Sequence, residues 1–153
     1  MNIDTAKRFE NPEEVKKILT AFDNSFKHLE EKFEKVKQFA TEDCIAIDET
    51  ELIKESNKSI QMYNKYSMLY ADDKREFFKI KLKLDEFECY LFDYYRFSYD
   101  KSTKLSDSSV SKYVCAHPIY IKIHLVIDNY KNYLEYIERV LEYFKTKNLH
   151  KNG

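Results

Sequence analysis

The chain has 153 residues, the size of one domain or of two very small ones, with 35% charged and 16% aromatic side chains and a formal net charge of −1. Its one glycine is the terminal Gly153 and its prolines are Pro12 and Pro118, which excludes glycine-dependent phosphate loops, dinucleotide-binding turns, nucleophile elbows and tight β-hairpins. The charge excludes a membrane protein, the 13 tyrosines and 11 phenylalanines exclude a disordered one, and the balance of signs leaves no global field to draw nucleic acid.

The first predicted element opens at Asn11-Pro12-Glu13-Glu14. Asparagine caps a helix N-terminus, proline is preorganised for the first helical position, and two carboxylates meet the positive end of the dipole. Val15, Leu19, Phe22, Phe26, Leu29, Phe33, Val36 and Ala40 then alternate at spacings of four and three, a heptad seam over residues 12–40. Asp48 and Glu51 have the spacing of a capping box and open a second predicted helix through Leu52, Ser56, Ile60, Tyr63 and Tyr70. The pair Asp72-Asp73 is a candidate kink or new cap, after which Phe77, Ile80, Leu84, Phe87, Leu91 and Tyr94 form a third seam.

Residues 98–109 hold the chain's loop chemistry, rich in Ser, Asp, Lys and Thr. A short helix is expected from Ser109 to Ala116, and Pro118 opens the last long one, with Ile123, Ile127, Tyr130, Leu134, Ile137, Leu141 and Phe144 as its seam and Asn148 as its C-cap. Ile119, Ile121, Ile123, Leu125 and Ile127 also alternate with period two, as an edge strand would. The helical rhythm continues well beyond Ile127 and favours helix. The expected fold is all-α: long helices packed as a bundle with coiled-coil-like seams. Burying Leu19, Phe22, Phe26, Leu29 and Phe33 is worth about 1.5–3 kcal/mol per side chain, so their seam must pack on the rest of the chain or on a neighbouring subunit. We expect these five residues to form an oligomer interface.

Catalytic chemistry has little to work with. Cys44, Cys89 and Cys115 are odd in number and widely spaced, as reduced cytosolic thiols are, and no apolar run reaches the length of a signal or membrane segment, so a soluble, cytoplasmic protein is expected. Cys115, His117 and His124 sketch a zinc site without a fourth ligand, and the carboxylates lie among lysines as solvated helical faces do. Neither enzymatic activity nor a metal or other cofactor is expected. One basic signal stands out in residues 74–83, KREFFKIKLK. On a helix Arg75, Lys79 and Lys83 follow one another every four residues, with Lys74 and Lys81 on a neighbouring face. Such a stripe neutralises phosphates, and it equally serves as a solubilising face opposite a core seam. Of the tyrosines, Tyr63, Tyr94 and Tyr130 fall on seams, whereas Tyr90, Tyr95 and Tyr99 are freer to stack on unpaired bases.

The stretch 45–78, IAIDETELIKESNKSIQMYNKYSMLYADDKREFF, resembles the N-terminal region of the phage UvsY-type recombination mediators at Ile47-Asp48, Thr50, Leu52, Glu55, Tyr63, Lys65, Tyr66, Lys74 and Glu76. The similarity runs without a gap to Asp93-Tyr94-Tyr95. Leu141, Phe144, Lys145 and Lys147 resemble the family's C-terminal region more weakly. Where the family carries a Lys-x-Arg pair shortly before Asp-Tyr-Tyr, this chain has Cys89-Tyr90-Leu91. The family's DNA-binding positions therefore do not transfer, and the basic work passes to Arg75, Lys79, Lys83, Lys74 and Lys81. Family members also extend further beyond the position of Asn148, with a segment tied to oligomerisation.

The resemblance implies a helical homo-oligomer, hexamer-like and ring-shaped, that binds single-stranded DNA and contacts a RecA-like recombinase and the single-strand-binding protein. It implies a non-enzymatic mediator that helps load the recombinase in place of the single-strand-binding protein in a phage-infected cell. A structural helical adaptor without a DNA role is the alternative. Residues 1–43 have no counterpart in the resemblance, so the expected organisation is an N-terminal helical extension, 1–43, followed by a mediator-like helical domain, 44–153.

Overall fold

Asn11 starts the first helix as its side chain dictates. Its Oδ1 accepts the Glu13 backbone N–H at 3.0 Å, which meets one of the helix's unpaired N-terminal donors, and its carbonyl accepts the first intrahelical bond, from Val15 N–H at 3.0 Å. The computed structural model describes residues 8–48, 52–98 and 105–152. After a single 3₁₀ turn, Arg8–Glu10, come α1 (Pro12–Asp48), α2 (Leu52–Asp93) with a π-helical turn at Tyr94–Ser98, α3 (Asp107–Ala116) and α4 (Pro118–Asn152). All of these described elements are helical, and none of their helices is long and apolar enough to cross a membrane. The segment 119–127, with its two possible periods, is helix.

Three boundaries differ from expectation. The second and third predicted helices are one, because α2 runs through Asp72-Asp73 without a break. Asp73 does not cap anything: it is 4% exposed, and its carboxylate accepts hydrogen bonds from Tyr133 Oη and Lys32 Nζ on two other helices. α3 begins two residues before Ser109, where Ser106 Oγ accepts the Ser109 N–H at 3.3 Å. α4 passes through Asn148, which therefore is not its C-cap. The proposed Asp48–Glu51 capping box and most of the polar loop lie outside the described residues.

The chain divides into two compact units, one within Met1–Lys27 and Lys79–Asp128, the other within His28–Phe78 and Asn129–Gly153. In the second unit, Leu29 and Val36 of α1 pack with Tyr133, Leu134 and Ile137 of α4. Phe33 meets Tyr133 edge-on at 5.3 Å, and Phe77 of α2 stacks on Tyr130 at 5.3 Å. A neighbouring cluster joins Ala40, Ile47, Tyr66, Val140 and Phe144, with the Tyr66 and Phe144 rings stacked at 5.6 Å. Leu29 and Phe33 thus find their apolar partners on the chain's own α4. Asp43 supports the same cluster by accepting from Tyr66 Oη at 2.6 Å and Lys65 Nζ at 2.9 Å.

In the first unit, Ile18, Leu84, Leu91, Val110, Val114, Ile119 and Ile123 are buried. Phe22 is half-buried and meets Phe87 edge-on at 5.5 Å, Leu19 and Phe26 are half-buried, and the Lys122 ammonium lies 5.8 Å from the Phe26 ring. Lys122 also forms an ion pair with Asp23. The π-helical turn places Tyr94 and Tyr95 inward: Phe9 packs on Tyr94 at 6.0 Å and Tyr113 stacks on Tyr95 at 5.5 Å.

Candidate nucleic-acid interface

α2 presents its buried side through Tyr66, Asp73, Leu84 and Leu91 and half-buries Phe77 and Ile80. Its cations therefore point away from the packing. Lys74, Arg75, Lys79 and Lys83 are exposed and Lys81 is half-exposed. Arg75 Nη2 lies 2.9 Å from Asp72 Oδ1, and Lys81 Nζ lies 3.9 Å from Asp85 Oδ2. Both are pairs between well-exposed groups within one helix, which hold their cations weakly. Lys74 Nζ sits 5.5 Å from the Tyr70 ring. Among the described residues, Lys79 and Lys83 have no ion-pair partner.

Among its described residues the same helix leaves four large apolar side chains in water: Ile60 (44% exposed), Met68 (68%), Phe78 (63%) and Leu82 (58%). Phe78 and Leu82 lie inside the basic stretch. A period-based reading finds Phe77 because it continues the seam; Phe78 is one step out of phase, and that is the only signal in the sequence that sets it apart.

Of the three tyrosines expected to be freer, the two described ones are engaged. Tyr95 is buried under Tyr113, Tyr90 is half-buried with its hydroxyl on Glu86, and Tyr99 lies outside the described residues. Tyr94 is buried, and Tyr63 and Tyr130 are half-buried against core clusters. At the two positions where the resemblance implies a basic pair, Cys89 is exposed and Leu91 fully buried. The second of these has no access to a ligand at all.

Cys115, His117 and His124 are each otherwise engaged or apart. Cys115 is exposed, while His117 Nδ1 accepts the Ile119 N–H at 3.0 Å and burial holds its imidazole below the usual histidine range. His124 packs on Tyr120, its Nε2 3.5 Å from Glu88 Oε1 without forming a hydrogen bond. Among the described residues no three His, Cys, Asp or Glu side chains gather closely enough to hold a metal ion.

Two phenols carry the largest electrostatic shifts. Burial first, then a hydrogen bond to a carboxylate, holds Tyr66 (on Asp43) and Tyr133 (on Asp73) far above the ordinary value of 10.0. In the unfolded chain these protons leave near pH 10, whereas the folded chain keeps them. Their contribution is therefore intact below pH 10 and is lost as pH rises above it, at about 1.4 kcal/mol per pH unit for each group. Urea midpoints measured from pH 8.5 to 11 should fall beyond pH 10, and Tyr133→Phe should make that fall shallower. A midpoint that stays level to pH 11 contradicts the assignment.

Searches of curated proteins and of solved structures gave no match. A family model described as "Recombination, repair and ssDNA binding protein UvsY" matches residues 38–152, which is 115 of the 153 residues and includes all of α2. The match covers the whole stretch from which the resemblance was read. The chain belongs to the UvsY family of recombination, repair and single-stranded-DNA-binding proteins.

Proposed function

We propose that this protein is a recombination mediator that binds single-stranded DNA through the backbone and helps load a RecA-like recombinase where single-strand-binding protein would otherwise sit. The observation that carries the reading is the coincidence of the family match with the basic stretch of α2. Within the matched residues, residues 74–83 of that helix present five exposed or half-exposed cations, of which Lys79 and Lys83 are unpaired among the described residues. They take the place of the family's basic pair, which this chain lacks. Homo-oligomerisation belongs to the same proposal, since three to five cations per subunit bind weakly alone and gain by repetition along one strand. The half-buried Leu19, Phe22 and Phe26 are its candidate contacts.

The test is the salt dependence of binding to an oligo(dT) strand. Counterion release from three to five phosphate contacts gives a log–log slope of roughly −2 to −3.5, so affinity should drop about 20- to 130-fold between 50 and 200 mM salt for a single engaged subunit. Oligomers engaging several subunits should be steeper. Absence of binding at 50 mM salt removes the DNA role and leaves the helical adaptor.

A further inference from the structure

We propose that Phe78 is a base-stacking residue, which makes the α2 surface a combined phosphate and base reader rather than a purely electrostatic one. This rests on the reading of the protein as a single-stranded DNA binder and names the element that grips the bases.

The placement follows from helix geometry. At 100° per residue the surface neighbours of position 78 are those three and four residues away, about 5–6 Å between Cβ atoms. They are Lys74, Arg75, Lys81 and Leu82. Three of these four neighbours are cations, and Lys79 follows directly along the chain. Along this one helix the ring thus has Lys74 and Arg75 one turn before it and Lys79 and Lys81 within the turn after it. That ring is 63% exposed on a helix whose other phenylalanines, Phe77, Phe87 and Phe92, are drawn at least half-way into packing. Among the described residues no other ring packs against Phe78.

An exposed phenylalanine costs solubility and contributes nothing to a core. Surrounded by cations, it has one kind of occupant that satisfies both features at once: a polyanion that also carries flat apolar faces. Single-stranded nucleic acid is that ligand, because its bases are unpaired and free to stack while its phosphates meet the lysines and the arginine. A duplex would offer only phosphates, its base faces being already stacked. A protein partner would need carboxylates around an apolar pocket. That occupant predicts a different result below.

The experiment compares an oligo(dT) strand with an abasic deoxyribose-phosphate strand of the same length and charge, at fixed salt, using the full chain. The parent should prefer oligo(dT). Phe78→Ala should lose about tenfold in affinity for oligo(dT) by the usual value of one base–aromatic stack, lose nothing on the abasic strand, and keep the salt slope. Because Phe78 is exposed, its circular dichroism and melting temperature should equal the parent's. The chain has no tryptophan, so Phe78→Trp supplies a single reporter whose emission should quench on oligo(dT) and not on the abasic strand.

The inference is overturned if the parent binds both strands equally, if Phe78→Ala binds oligo(dT) as the parent does, or if it loses equally on both strands. It is also overturned if Phe78→Ala changes the oligomeric mass, which would make the ring a protein contact. Steep salt dependence with equal binding of the two strands leaves DNA binding standing and removes the stacking. No binding of either strand removes the DNA reading itself, and the stacking with it.

Discussion

Asp73→Ala is expected to lower stability by about 2–4 kcal/mol, a drop in melting temperature on the order of 5–15 °C for a chain of this length. The carboxylate is 4% exposed and lies at the meeting of three helices, accepting from Lys32 of α1 and Tyr133 of α4. Alanine leaves the Tyr133 hydroxyl, on a side chain with no exposure, without an acceptor, and a buried donor without a partner costs about 1–3 kcal/mol. Lys32 suffers less, since 46% of its side chain is exposed and its ammonium can turn to water. The loss should therefore be dominated by the tyrosine. Pairing Asp73→Leu with Tyr133→Phe removes donor and acceptor together and should cost less than Asp73→Ala alone, because apolar replacement of both partners leaves nothing unsatisfied. If Asp73→Ala melts within a degree or two of the parent, the three-helix contact holds no weight.

The same carboxylate shows where the sequence is legible and where it is not. Asn11, Pro12 and Pro118 act locally, so their helix starts can be read from the letters alone. The phase of each apolar seam can be read in the same way: Leu29, Val36, Ile137 and Phe144 all face inward. What a seam packs against is not local information. The seam alone leads one to expect Leu29 and Phe33 at a subunit interface, whereas within this chain they pack on Tyr133 and its neighbours in α4. Asp72-Asp73 reads as a helix break because aspartate competes for backbone donors. Asp73 instead meets Lys32 and Tyr133, residues 41 and 60 positions away, and no window of sequence shows that. Several points of the family resemblance have the same architectural origin. Lys65 and Tyr66 both bind Asp43, so the resemblance is carried partly by positions that build the fold. The basic stretch of α2 is legible as a stripe; the exposed ring inside it shows in the sequence only as one step out of phase with the seam that Phe77 continues, and packing is what leaves it in water.

Replacing Arg75, Lys79 and Lys83 together with glutamate should weaken binding to single-stranded DNA by about 100-fold or more at low salt. Three phosphate contacts are lost and three repulsions take their place. The control must match the global charge, because net charge alone shifts association with a polyanion. Lys16, Lys17 and Lys35 of α1 serve: each is exposed, and either triple change takes the formal net charge from −1 to −7, three positive charges being removed and three negative ones added. Lys32 is unsuitable for that control, since its ammonium sits on Asp73 and glutamate there would set two carboxylates against each other. Neither triple should unfold the chain. The only described ion pair at risk in the α2 set is the exposed one between Arg75 and Asp72, and like-charge neighbours along a helix cost only a few tenths of a kcal/mol each. Binding titrations at 50 mM salt then separate two causes. A loss confined to the α2 triple places the phosphates on that helix. An equal loss in both triples shows that only the summed charge matters, and parent-like binding by the α2 triple moves the DNA path to another surface of the molecule.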